Sequence, residues 1–235
     1  MHATSSPPLP TDALAARPRA APSRPDSLAA ALRRSVAHVG LALRHPEEFA
    51  ARRHRREVEY EPAVWLALGL TAVLGTLGYG MTMGIGEGYQ AVCTKALALT
   101  FSAGLAWSIP LPALYILNSF AGSQLKPSTT LLAALVTTSW GGLALLASVP
   151  INWLFSVALP DLPFLAGNAV LTQLLITGVS LLVFAGVGVS MIDVFNRVMQ
   201  RLEPRRESSP VWFLALVGLI GAQLFFSFGL FEIPL

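Results

Sequence analysis

Apolar residues in this chain are gathered into long blocks rather than scattered through it. After residue 60 they run in five stretches, about 63–83, 96–120, 128–149, 165–191 and 210–230, parted by short polar turns. Each exceeds the roughly 20 residues that an α-helix needs to cross a bilayer. In lipid a backbone amide finds no water to bond, so blocks of this kind are read as helices. The pattern predicts an all-α, polytopic membrane bundle of about five transmembrane helices over residues 62–235.

Upstream of the blocks the pattern changes twice. Residues 1–25 are Pro, Ala and Ser with scattered Arg, too poor in bulky apolar surface to offset the entropy of ordering, and a disordered tail is expected. In 26–61, Asp26 or Ser27 is placed to cap a helix. Leu28, Leu32, Val36 with Val39, and Leu43 then recur at three- and four-residue steps. Arg33, Arg34, His38 and Arg44 fall largely off that stripe, which makes a basic amphipathic helix. Two settings fit it: the surface of an anionic membrane, or the protein's own cytoplasmic face. Pro46 then breaks that helix or opens the next, and Glu47 and Glu48 follow where a helix dipole favours negative charge. Phe49 stands alone ahead of Arg52, Arg53, Arg55 and Arg56, with Glu57, Glu59 and Glu61 before Pro62.

Inside the blocks, Trp65 and Trp212 sit where interfacial aromatics belong. Gly80 and Gly84 are four apart, on one helix face, and admit a close neighbour. Pro150 is expected to end the third span, and 151–163, with Trp153 and Phe155, to lie at the interface. The second span is expected to be broken. Its inner part carries Pro110, Pro112, Tyr115 and Asn118, and each proline lacks the amide proton that would bond the carbonyl four residues back.

Charge then sets the threading. Only 12% of residues are charged, and of the sixteen Lys and Arg ten are arginines in the first sixty positions. With the N-terminus in the cytoplasm and five spans, only Lys95 of the sixteen faces outside, and the C-terminus is outside; the reverse threading leaves one inside. Placed beside spans, the basic cluster reads as a contact with the anionic cytoplasmic leaflet through Arg33, Arg34, Arg44, Arg52, Arg53, Arg55 and Arg56, not as a nucleic-acid site. The first apolar block begins too late and runs too long for a secretory signal, and the early prolines spoil an organellar transit helix. The Ala-, Arg- and Leu-heavy composition points to a bacterial inner membrane.

Candidate chemistry is sparse. One cysteine, Cys93, and four histidines at or before His54 cannot build a zinc site, and no metal or cofactor is expected. There is no Gly-x-Ser-x-Gly, no His-Glu-x-x-His and no phosphate loop, so no enzyme is expected. Asp193 reaches Arg197 at i+4 as an interfacial ion pair. Asn118, Asn152, Asn168, Gln173 and Gln223 are the intramembrane amides. They read as interhelical bonds first and as a solute path second.

Pro46-x-x-Phe49 before a basic run, Gly-Tyr-Gly at 78–80, Leu-Pro-Ala-Leu-Tyr at 111–115, and five close spans ending the chain resemble the Yip family of five-span membrane proteins and related bacterial membrane proteins. The similarity is one of layout over about residues 28–235. It implies a non-enzymatic role in membrane organisation or trafficking. Eukaryotic members bind Rab-type GTPases, and no residue of this chain takes on that role. The expected function is a scaffold or partner-binding subunit with a protein partner or a second copy in the membrane. The alternative is a small-solute transporter or channel component that uses the broken second span.

Overall fold

The computed structural model describes residues 28–120, 125–163, 165, 168–204 and 211–230. All regular structure among them is helical: α1 (Leu28–Arg44), α2 (Pro46–His54), α3 (Pro62–Met83), α4 (Tyr89–Ser108), α5 (Pro110–Phe120), α6 (Pro127–Ala158), α7 (Ala169–Leu202) and α8 (Val211–Ser227). Four stretches are long and apolar enough to cross a membrane: Pro62–Met83, Tyr89–Ala113, Pro127–Ala158 and Ala169–Leu202. By length and composition this is an integral membrane protein. The apolar stretch in α8, Gly218–Ser227, is shorter than a span. The tail expected over 1–25 and the caps Asp26 and Ser27 lie outside the described residues, as do the side chains of Leu28, Leu32, Asn118 and Trp212.

The bundle is arranged around α3, which packs on α6 along one side and on α4 along another. Both contacts depend on glycine. A Cβ on Gly75 would overlap the backbone of Gly142 in α6, and one on Gly142 would lie 2.7 Å from the Ala72 Cα. On the α4 side, a Cβ on Gly80 would lie 2.6 Å from the Ala96 Cα, and one on Gly84 2.5 Å from the Val92 amide nitrogen. Backbones this close maximise dispersion contacts where lipid offers no hydrophobic drive between helices. Hydroxyls add polar ties: Ser139 of α6 donates to the Leu68 carbonyl of α3 at 2.8 Å, and Thr76 and Thr100 meet at 3.2 Å between α3 and α4. α8 lies on α4, and Phe184 of α7 meets Phe225 of α8 with ring centres 5.3 Å apart.

α7 has 34 residues, about 51 Å at 1.5 Å per residue, well beyond a ~30 Å hydrocarbon core. Its last turns are the buried ones. Phe195, Val198, Met199 and Leu202 share a core with Ala50 of α2, Leu125, and Ala133 of α6. The cap formed by α1 and α2 therefore closes one end of the bundle, and α7 extends to meet it.

Three boundaries differ from the sequence expectation, and the second span divides just ahead of Pro110. Pro150 does not end the third span: α6 continues through it to Ala158, so 151–158 is helix rather than a separate interfacial segment. Proline removes one helical bond at Leu146, while Asn152, two residues on, is anchored to two neighbouring helices. The 85–95 turn is shorter than expected, a 3-10 turn at Ile85–Glu87 after which α4 starts at Tyr89. Lys95 therefore lies within α4, and it pairs with Glu87 and reaches the Met83 carbonyl at 3.5 Å, fastening the C-terminal end of α3. The second span is two helices meeting at Ile109, whose right-handed backbone (φ −66°, ψ −48°) carries the helical path across the missing proline amides. The fourth span runs on past 191 to Leu202, through what was expected to be a polar segment.

Candidate functional site

The cap is assembled from the Pro46-x-x-Phe49 segment. Proline at the first position of α2 costs no bond, because that amide is unpaired in any helix. Glu47 and Glu48 follow in the first turn, and Arg52, Arg53 and His54 occupy the last, both complementing the helix dipole. The helix ends with Arg56 in the left-handed region at φ 59°. The Arg56 amide bonds the Arg53 carbonyl at 3.1 Å and the Glu57 amide bonds the Arg52 carbonyl at 3.0 Å. This paired closure usually takes glycine. It reverses the chain and returns Tyr60 beneath Phe49.

Phe49 is fully buried, and its ring stacks on Tyr60 with centres 4.1 Å apart and planes 9° from parallel. The Tyr60 hydroxyl donates to the Phe49 carbonyl at 3.0 Å. Burial pushes the Tyr60 phenol above its usual 10.0, opposed by Arg52 and Arg53, so it remains a donor. His38 of α1 meets the edge of Tyr60 at 5.7 Å, and the Arg53 guanidinium sits 6.0 Å from the centre of the Trp65 ring. Ala42, Val64, Leu68, Leu132 and Val136 complete this core, so α1, α2, α3 and α6 share it.

Glu48 ties the cap to α7. One carboxylate oxygen lies 3.4 Å from Arg52 Nε and 3.3 Å from Arg55 Nη2, and the other lies 3.6 Å from Arg201 Nη2 on α7. The Arg52 hydrogen bond holds the Glu48 carboxyl below its usual 4.5, desolvation opposes it, and the charges of Arg55 and Arg201 act in the same direction as Arg52. A depressed folded-state value means the contribution is full above the unfolded carboxylate value and fades as pH falls through the lower folded one. Protection of the α2 amides relative to their intrinsic exchange rate at each pH is therefore expected to be flat from neutral pH down to about 4.5 and to fall below it. Glu48→Gln is expected to remove that acid step, and an unchanged acid step in the variant would contradict the assignment.

A second polar group lies at the opposite end of the bundle. Asn152 of α6, 1% exposed, donates to the Thr82 hydroxyl of α3 at 2.8 Å and accepts from the Ser180 hydroxyl of α7 at 3.0 Å. Thr82 in turn donates to the Tyr79 carbonyl at 2.6 Å. The Tyr79 hydroxyl, beside Ser180, is buried without a well-formed bond among the described residues. One amide thus pins three helices together. Asn152→Ala is expected to cost about 1–3 kcal/mol, the range for stranding buried polar partners, read as a lowered unfolding midpoint in detergent.

The residues singled out from sequence fall in several places. Arg33, Arg34, Arg44 and Arg56 are exposed, Arg53 lies over Trp65, and Arg52 and Arg55 are engaged by Glu48. Pro110 is buried at the start of α5, Pro112 is exposed and Tyr115 is half-buried. Asn168 is exposed and caps α7, its side chain accepting from the Leu171 amide at 3.1 Å. Gln173 is half-buried. Asp193 and Arg197 form their i+4 pair at 3.1 Å, with both side chains exposed. The structure brings together a different set: Thr82, Asn152 and Ser180. Their sequence signal was the lone amide two residues after Pro150; Thr82 and Ser180 gave none, since hydroxyls bonded to their own helix are common in spans. Among the described residues no cluster of three or more His, Cys, Asp or Glu is placed to hold a metal. No protein-family model, curated protein or solved structure matches the chain.

Proposed function

We propose that the chain is a non-catalytic membrane scaffold, with five spans and its N-terminus in the cytoplasm, whose α1–α2 cap rests a basic face on the anionic inner leaflet. The observation that carries this reading is how firmly the cap is fastened. Phe49 and the Glu48–Arg201 pair join it to α3, α6 and α7. Arg33, Arg44 and Arg56 are exposed on the same unit, and Val36 of α1 is 62% exposed. An apolar residue flanked by arginines on an outward helix face suits the boundary between headgroups and acyl chains, where each arginine near an anionic surface adds about 1 kcal/mol. In this reading the apolar block over about 210–230, longer than α8 itself, is the fifth span, which leaves the C-terminus outside by the distribution of positive charge. The layout shared with Yip-like proteins agrees with a role in organising membrane partners.

Solute transport through the second span has less support. The buried amide and hydroxyls of Asn152, Thr82 and Ser180 bond one another, and Pro110 packs inside the bundle.

The test uses the full chain in nanodiscs of neutral or anionic lipid. Amide exchange over 33–44 is expected to slow in anionic discs and to recover its neutral-disc rate as salt is raised. Equal exchange in both lipids, with no salt dependence, would refute the surface contact. Threading is tested separately: a C-terminal reporter that fluoresces only in the cytoplasm should stay dark.

A further inference from the structure

One face of α7 is turned away from the rest of the bundle. Its apolar stretch is only 11% buried, against 28%, 33% and 50% in the other three spans. Phe184 meets Tyr79 of α3 and Phe225 of α8. About half a turn round the helix, Leu182 is 75% exposed. Leu175, Gly178, Leu182, Ala185, Val189 and Ile192 are all exposed and follow one another at alternating steps of three and four. We propose that this face binds a second copy of the chain, as a parallel pair of α7 helices about a two-fold axis along the membrane normal. The inference rests on the reading above only for all copies sharing one threading.

Three observations select a second copy. The first is the order of sizes. Steps of three and four sum to seven, the repeat of a left-handed helix pair. Leu175, Leu182 and Val189 form one row, and Gly178 and Ala185 lie in the other. Copies with one threading meet in register across a two-fold axis, so each α7 faces its own counterpart. Leu182 of one copy then enters the hole between Gly178 and Ala185 of the other, where small residues let the backbones approach. A face that meets only lipid has no need of such holes, and the outward stripe of α3 (Leu66, Leu70, Val73, Leu74 and Met81) is large throughout.

The second observation is level. Asn152 joins Ser180 of α7 to Thr82 at the C-terminal end of α3, where the Glu87–Lys95 pair marks the headgroups. From Val179 back to Ala169, α7 continues up to about 16 Å past that level. Leu171 and Leu175 are still exposed there on the same face. Acyl chains do not reach beyond the headgroups, whereas the same residues of a parallel copy do. The third is area and supply. The exposed parts of this face, with Leu174 and Leu181 on its flank, come to roughly 600 Å² per copy, so a pair buries roughly 1,200 Å², the lower end of the range for specific interfaces. No segment of this chain is left to lie along it: 1–27 is rich in Pro and Arg, and the other segments outside the described residues have six residues or fewer. At the far end of the face Asp193 is already paired with Arg197 at 3.1 Å, so two copies bring no unpaired carboxylates together.

The experiment uses the full-length chain in the membranes of the expressing cell, with Cys93→Ser as background, and oxidative crosslinking at one introduced position at a time. Gly178→Cys, Leu182→Cys, Ala185→Cys and Val189→Cys are expected to give crosslinked homodimer at several times the yield of Leu70→Cys and Leu74→Cys, which are exposed on α3. Adding Gly178→Leu and Ala185→Leu to the Val189→Cys chain is expected to cut its yield about tenfold, as overpacking of a close contact implies, with protection of the α2 amides unchanged. Gly178→Ala is expected to be tolerated, because Ala185 fills the same row one layer on. Yields no higher on α7 than on α3 overturn the proposal and leave lipid as the cover. A product that joins α7 to a different protein, or a yield unchanged by the two leucines, also overturns it. Crosslinking is read without regard to lipid charge, so this proposal can fail while the leaflet contact stands, and the reverse.

Discussion

Replacing Gly75 with leucine is expected to separate α3 from α6 and to abolish the compact bundle. The Gly75 Cα faces the Gly142 backbone so closely that any Cβ overlaps it. A flexible side chain could yield, but here the obstructing atoms are main chain, and only movement of a whole helix relieves the clash. Overpacking a core costs about 1–3 kcal/mol when neighbours adjust, and more when they cannot. The Ser139 bond to the Leu68 carbonyl spans the same interface and would be lost with it. The result should appear as early elution of aggregated protein and a collapsed unfolding midpoint in detergent. Gly178→Ala is the control. Nothing lies within 4 Å of a Cβ built there, so its midpoint should stay the same or rise slightly, by up to about 1 kcal/mol from helix propensity. Comparable damage from both substitutions would show that the close approach at Gly75 is not the cause.

The second large effect is expected at Phe49. Truncation of a fully buried phenylalanine costs about 3–5 kcal/mol, and the parallel ring of Tyr60 adds an aromatic pair worth about 0.5–1.5 kcal/mol beyond its area. Phe49→Ala should release the cap without unfolding the spans, because Gly75, Gly80, Gly84 and Gly142 hold α3 to α6 and α4 independently of α2. At 1.4 kcal/mol per tenfold, exchange of the α2 amides should rise by roughly two and a half to four and a half orders of magnitude, and Arg52–Arg56 should become open to tryptic cleavage. Tyr60→Phe retains the ring and loses only the 3.0 Å bond to the Phe49 carbonyl, an effect of about 0.5–1.5 kcal/mol. If Phe49→Ala left exchange in α2 unchanged, the ring would not be the anchor.

These two positions differ in how far the sequence announced them. Phe49 was visible as a lone aromatic between a helix-opening proline and an arginine run, yet nothing local said whether it faced lipid or protein. Gly80 and Gly84 were visible as a spaced pair, and α4 meets them. Gly75 and Gly142, which set the tightest contact in the bundle, lie 67 residues apart with no shared local pattern. The sequence also misjudged Pro150, because a proline stops a helix only when nothing outside the helix compensates. Asn152, bonded to Thr82 and Ser180, supplies that anchorage from two other helices.

The chain by itself determined the helical class, the membrane environment and most span positions, since each follows from local apolar length and the need of every amide for a partner in lipid. It also determined that positive charge gathers ahead of the first span. Only the tertiary structure decided which helices touch, that Glu48 holds Arg52 and Arg55 and reaches Arg201, and that Tyr60 closes over Phe49. Those outcomes depend on surfaces brought together from distant parts of the chain, and helical periodicity specifies a face without naming its neighbour.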